Sequence, residues 1–344
     1  MRKTLTLLCV ACTALLCSST WAADRVQTAK GQLTGTIENI TRTEVEISRR
    51  AGDSTKVPVN EIEFIQYDGE DPKLAVARRA AIDGRHADAV SMLNEIAQAQ
   101  QSRPEVAQEI EYYQAFCAAR VAAAGGGDAG AAGRALRDYV QKNPQSHHYY
   151  PAHELLGDLL VALQRYDDAL TYYSEVAEAP WPDYKMRAGI AKGRSLRTQK
   201  KHDEALAEYE AVLALDAPGD DPLAEQQRLA ASLGKAACLA ELQQFEEAIG
   251  MVEEVIKNTP SAEAAEIHAQ AYTTLGNCYR QAGRPKDALL AFLHVDLLYQ
   301  GDPAAHAEAL ANLADLWSEL GERQRAQQAS QQLQELYANS PWAR

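Results

Sequence analysis

The sequence predicts a mainly α chain in which about seven antiparallel helix pairs stack into a solenoid behind a small β-module. Three observations carry this. From Asp71 onward the apolar residues fall at helical spacing, with almost no strand signal. Alanines on the second helix of each pair recur as Ala89, Ala132, Ala169, Ala205, Ala248, Ala288 and Ala326, at intervals of 36 to 43 residues. Ahead of Asp71 the pattern changes to a period of two, rich in Thr, Val and Ile. One helix pair cannot bury its apolar face alone, so a regular recurrence implies neighbours that bury it.

Residues 1–22 read as a secretory signal. Arg2 and Lys3 supply the charged start, Leu5–Leu16 the apolar run, and Thr20-Trp21-Ala22 the small residues before a cut at Ala23. The run is too short to span a bilayer comfortably, although an uncleaved anchor is the alternative. Cys17 follows Leu15-Leu16, which is not a lipoprotein cleavage box. Export to the periplasm or beyond is therefore expected. Losing the segment takes the net charge from −14 to −16. So acidic a chain is a poor candidate for nucleic acid or anionic lipid. Of six cysteines, Cys117, Cys238 and Cys278 remain, widely spaced and with no CxxC, so neither a disulfide framework nor a zinc site is indicated. They are read as packing residues, reduced and shielded.

The next module spans residues 24–70. Leu33, Gly35 and Ile37, then Val45 and Ile47, then Val57, Val59, Ile62 and Ile65 alternate, with turn signals at Lys30-Gly31, Thr41-Arg42 and Ala51–Asp53. About five short strands suggest a small SH3-like or Sm-like β-barrel. A core that small should lean on the first helices. The module either caps the open end of the solenoid or binds a peptide or glycan by itself.

Residues 71–341 form the solenoid. The clearest pair lies in Tyr272–Val295: Tyr272, Leu275, Gly276 and Tyr279, a break at Gly283, then Ala288, Phe292 and Val295. Gly276 and Ala288 provide clearance for close helix approach, and Tyr279 and Phe292 fill the gap. The third pair repeats the scheme with Leu156, Gly157, Tyr166, Ala169 and Tyr173, and the fifth with Ala236, Leu239, Phe245, Ala248 and Val252. The second pair turns through the Gly-rich Gly125–Gly133. The last helix is rich in Gln, which suits a solvent-facing end.

These residues follow the spacing W-x2-L-G-x2-Y…A-x3-F, with Tyr272 in place of Trp, and the chain resembles the tetratricopeptide repeat (TPR) family over about 270 residues. The resemblance implies a right-handed α-solenoid and a non-catalytic binding scaffold. The expected export and the closing Tyr337–Trp342 resemble TPR proteins of bacterial envelopes, including the tol–pal accessory type.

In that family, positions 2, 5, 9 and 12 of each first helix line the inner groove. The fourth pair places Arg187, Ile190, Arg194 and Arg197 there, and the sixth places Gln270, Thr273, Asn277 and Arg280. Arg187, Arg194, Arg197, Asn277 and Arg280 are the candidate partner-binding residues. The arginines either grip a carboxylate or acidic peptide or pair with Glu and Asp on a neighbouring repeat. The chaperone-binding carboxylate clamp needs Lys at position 5, where this chain has Ile190, Leu233 and Thr273, so that activity does not carry over.

No catalytic constellation emerges. Gly125–Gly130 formally matches G-x-G-x-x-G, but a helix precedes it and no βαβ unit surrounds it. His147, His148 and His153 straddle an expected helix start at Pro151 and match no metalloprotease spacing, so no metal is assigned. No cofactor is expected. The leading reading is a protein–protein scaffold of the cell envelope. The alternatives are a cell-wall or glycan binder acting through the β-module and, last, an enzyme of unknown type.

Overall fold

The computed structural model describes residues 23–49, 53–99, 101, 103–219, 221–260, 264–338 and 340–343. The expected signal segment, residues 1–22, and Ala51-Gly52 of the expected turn lie outside them.

Five strands come first: β1 (Asp24–Thr28), β2 (Gly31–Ile40), β3 (Glu44–Ser48), β4 (Ser54–Pro58) and β5 (Ile62–Gln66), with a 3₁₀ turn at Val59–Glu61 before β5. They form one antiparallel sheet in the order β4-β3-β2-β1-β5. Alternation sends Val26, Val45, Ile47, Val57 and Ile65 inward. Register shifts between Ile37 and Asn39 in β2 and between Gln27 and Thr28 in β1 bend it. Gly35 sits where β2 crosses β3, and a Cβ there would lie 2.1 Å from the Ser48 carbonyl oxygen. Among the described residues no ladder joins β4 to β5, so the expected barrel is an open, bent sheet with those strands as its edges.

Among the described residues fourteen helices follow in seven pairs: α1 (Pro72–Ile82) with α2 (His86–Ala97), α3 (Pro104–Ala123) with α4 (Ala129–Lys142), α5 (Tyr149–Ala162) with α6 (Tyr166–Ala177), α7 (Pro182–Thr198) with α8 (His202–Leu213), α9 (Pro222–Glu241) with α10 (Phe245–Asn258), α11 (Ala265–Gln281) with α12 (Pro285–Leu298), and α13 (Pro303–Glu319) with α14 (Arg323–Tyr337). Several first helices start on an Asp cap followed by Pro. Asp71, Asp221 and Asp302 accept from backbone N–H groups two or three residues on, and Pro72, Pro222 and Pro303 begin the helix. Inside each pair the turn has a left-handed residue five before the second-helix alanine, and the second pair adds Gly125 at φ 85°. Those five before the alanine are Gly84, Gly127, Gln164, Lys200, Gln243, Gly283 and Gly321, with φ between 58° and 83°. The Gly-rich turn is shorter than expected. Helix α4 already begins at Ala129, capped by Asp128, so Gly130 and Gly133 are helical.

The expected apposition of Gly276 with Ala288 is refined. The atom that needs room is Phe292: a Cβ on Gly276 would lie 2.6 Å from its ring. Tyr173 lies against Gly157 in the same way, and Tyr209 is held between Gly193 and Gly234. Ala288 is fully buried beside this contact. Cys117, Cys238 and Cys278 are free and buried, as their positions implied.

The sheet does not sit on the end of the stack. Val76 and Ile82 of α1 remain more than half exposed, and the sheet instead runs along the starts of three first helices. At α3, Arg103 Nη1 donates to Asp24 Oδ1 at 2.7 Å. At α5, Arg42 lies over Tyr149 and Tyr150, 5.2 and 5.9 Å from the ring centres. At α7, Asn60 Nδ2 donates to Asp183 Oδ1 at 3.1 Å. Asp24 also accepts from the Ile37 and Asp68 N–H groups, at 2.9 and 2.8 Å. One continuous apolar core runs from Val26 in the sheet through α1–α6 to Ala191 in α7. The sheet leans on the helices along their side.

Candidate functional site

The first helices line the inner face, and two adjoining clefts open there. One of about 370 Å³ lies between α5, α7, α9 and α11. The other, of about 540 Å³, continues over α11 and α13 to Trp342. Arg194, Arg197 and Gln270 line both, which makes them neighbouring compartments of one groove. Arg187 and Ile190 line the first cleft, and Thr273 and Asn277 the second. Repeat position therefore placed these side chains in the groove. Arg280 lines neither.

Each candidate already has a partner in the chain. Arg187 pairs with Glu154 of α5 and lies 4.5 Å from the Tyr184 ring centre. Arg194 Nη2 donates to Asp158 Oδ1 at 2.6 Å, and Tyr173 donates to the same oxygen at 2.8 Å. Arg197 makes a two-pronged contact with Glu241 of α9, at 2.8 and 3.2 Å. Asn277 donates to Glu308 at 2.7 Å. Arg280 donates to Asn312 and Asp315 of α13, at 2.5 and 3.2 Å. Pairing with neighbouring repeats, one of the two readings of these arginines, is thus what the geometry shows. The pairs are not equally closed: Arg194 keeps 54% of its side chain exposed while Asp158 keeps 22%. The carboxylate of Asp158 raises the Arg194 pKa, so the guanidinium stays charged at any ordinary pH. Burial pushes the Glu308 carboxyl above its usual range, against the Asn277 hydrogen bond.

The residues that sequence reasoning missed are these acids. The repeat register contained the signal, because Glu154 and Asp158 occupy positions 5 and 9 of the third pair, and Glu308 and Asp315 positions 2 and 9 of the seventh. Carrying the positions onto every repeat would have brought these four acids to the groove, but not Glu241, which meets Arg197 from outside those positions.

The three histidines separate. Helix α5 begins at Tyr149, not Pro151, and His148 is its cap residue. His153 turns away and bonds the Tyr149 carbonyl at 2.8 Å. His147 and His148 converge instead on Glu109 of α3, with Nε2 to Oε1 distances of 3.2 and 2.9 Å. All three are buried. Burial lowers the His148 pKa to about 4, so its imidazole is neutral near pH 7. Burial works against the Glu109 charge, but His148 and His147 outweigh it and hold the carboxyl well below its usual range.

No helix among the described residues is long and apolar enough to cross a membrane. Residues 154–222 and 190–263 match a tetratricopeptide repeat family model, and residues 308–340 match a second one. Among solved structures, the chain is similar to a Rap protein complexed with Competence and Sporulation Factor, with a TM-score of 0.52 and 14% identity over 78% of this chain and 76% of that one. It is equally similar to a tetratricopeptide repeat protein from Parabacteroides merdae, with a TM-score of 0.52 and 13% identity over 77% of this chain and 91% of that one. Likeness at such identity speaks for the fold. No curated protein matches the sequence. The fold is a TPR solenoid fronted by a small antiparallel sheet. Residues 154–263 and 308–340 are tetratricopeptide repeats.

Proposed function

We propose that the protein is a non-catalytic scaffold that holds an extended segment of a partner protein in its concave groove. The observation that carries this is the pair of clefts joined through Arg194 and Arg197. The walls offer amides and hydroxyls suited to a peptide main chain, from Gln226, Gln227, Gln270 and Thr274, beside a half-exposed guanidinium suited to a carboxylate. The structurally similar Rap protein was solved in complex with Competence and Sporulation Factor, and that use of the fold supports the reading. The Met1–Ala22 pattern supports a working place outside the cytoplasm, in the cell envelope.

Because the arginines are paired, binding must compete with an ion pair inside the protein. Arg194 is the one to exchange, since Asp158 would keep its bond from Tyr173. Photo-crosslinkers placed one at a time at Gln227, at Thr274 and at Leu297, which is 69% exposed on α12 outside the clefts, test this in the native host. Crosslinks from Gln227 and Thr274 to neighbouring residues of one partner segment, with none from Leu297, are expected. Crosslinks to that partner from Leu297 alone would refute groove binding.

A further inference from the structure

We propose that Glu109, His147 and His148 form a binding site for a borderline divalent transition metal, Zn²⁺ in the first place, which ties α3 to the connection between α4 and α5. The three ligand atoms lie within 4.8 Å of one another. The two imidazole Nε2 atoms stand 3.2 and 2.9 Å from one carboxylate oxygen. Ligands about 2.0–2.1 Å from a tetrahedral ion stand roughly 3.3 Å apart, so small side-chain shifts would admit the ion. Two imidazoles and a carboxylate are a donor set zinc accepts.

A second observation is hydrogen-bond geometry. His147 Nε2 and Glu109 Oε2 are buried and make no well-formed hydrogen bond among the described residues, although Glu109 Oε1 lies 3.2 Å from the first and Arg78 Nε 3.6 Å from the second. Such atoms are costly in a protein interior unless something meets them. Arg78 gives Nη1 and Nη2 to the two oxygens of Glu70, at 3.3 and 3.1 Å, and its Nε stands 3.6 Å from Glu109 Oε2. The hydrogen bonds of the guanidinium thus go to Glu70 and leave Glu109 to the two imidazoles.

The ligands are also held in place. Tyr112 stacks on His148, with ring centres 3.6 Å apart and planes 7° from parallel. Ser146 Oγ accepts from the His148 N–H at 3.1 Å and lies 2.7 Å from the Tyr139 hydroxyl. Outer contacts of this kind fix ring orientation at metal sites. Since the site lies in the core shared by sheet and helices, the metal's role is structural.

The full chain, stripped with a chelator and titrated with ZnCl₂ alone, should take up one ion per molecule and melt at a higher temperature. Co²⁺ in its place should give the intense visible absorption of four-coordinate nitrogen and oxygen ligation. His147→Gln and His148→Gln should each weaken Zn²⁺ binding by at least about tenfold, whereas His153→Gln, in the same segment but outside the cluster, should not. Failure of the wild type to bind zinc would overturn the site and mark it as a hydrogen-bonded cluster only. A folded His148→Gln protein with undiminished affinity would overturn it too. Should the histidine variants not fold, the Co²⁺ spectrum decides, and a weak six-coordinate spectrum counts against the proposal.

Discussion

The contact between Gly276 and Phe292 shows how one residue sets the spacing of a helix pair. In five of the seven pairs the residue sixteen positions after the small one changes with it. Gly157, Gly193 and Gly276 face Tyr173, Tyr209 and Phe292, while Ala77 and Ala236 share the register of Leu93 and Val252. A glycine makes room for a ring, and an alanine goes with a smaller side chain. Gly276→Ala should therefore cost roughly 1–3 kcal/mol by overpacking. Phe292→Val should cost less in that background than in the wild type, because the fifth pair has this combination naturally, and a double-mutant cycle by urea unfolding checks it. Strict additivity would remove the packing argument. The cysteines give a second expectation. Burial pushes the thiols up, to about 11 for Cys117 and Cys278 and about 12 for Cys238. Each then holds at least roughly a hundredfold less thiolate at neutral pH than a free thiol. Alkylation followed by mass spectrometry should find all three unmodified until denaturant is added. The packing role of these residues was legible in the sequence because it follows from spacing. Glu109 was not legible as a neighbour of His147, since nothing local joins positions so far apart and only burial unites them.

Among the elements, the β-sheet departs furthest from expectation. Its alternation announced strands, but alternation says only that one face is buried, not against what. Its place depends on Asp24, whose carboxylate reaches β2, the segment after β5, and the start of α3 at once. Asp24→Asn puts an amide N–H where three donors converge, and should cost about 2–4 kcal/mol. The melting temperature measures it, and an unchanged value would mean that the sheet is held by its apolar core alone. The turns inside the pairs were partly legible. Glycine marked four of them, but Gln164, Lys200 and Gln243 adopt the same left-handed conformation against their preference. No rule on residue type would have singled them out.

Taken whole, the molecule has two kinds of core. The sheet and the helices up to Ala191 share one apolar cluster, whereas the later pairs are served by several smaller ones. Solenoids gain stability from nearest neighbours, so these regions should open separately. In hydrogen exchange, amides of β1 and β2 should exchange in step with those of α3 and α5 and more slowly than those of α13 and α14. Early, independent exchange of the strands would show the sheet to be a separate unit. The groove positions were legible because the repeat register carries over from pair to pair, but the pairing of the arginines was not, because it runs between repeats. That pairing makes Arg194 the place to test the central claim. The measurement is the affinity of a synthetic peptide, with the sequence of the crosslinked partner segment, for the wild type and for Arg194→Ala. Weakening by about tenfold or more, of the size expected for a charged hydrogen bond, with an affinity that falls as salt rises, is the predicted result. Equal affinity for the two proteins at every salt concentration would contradict the account.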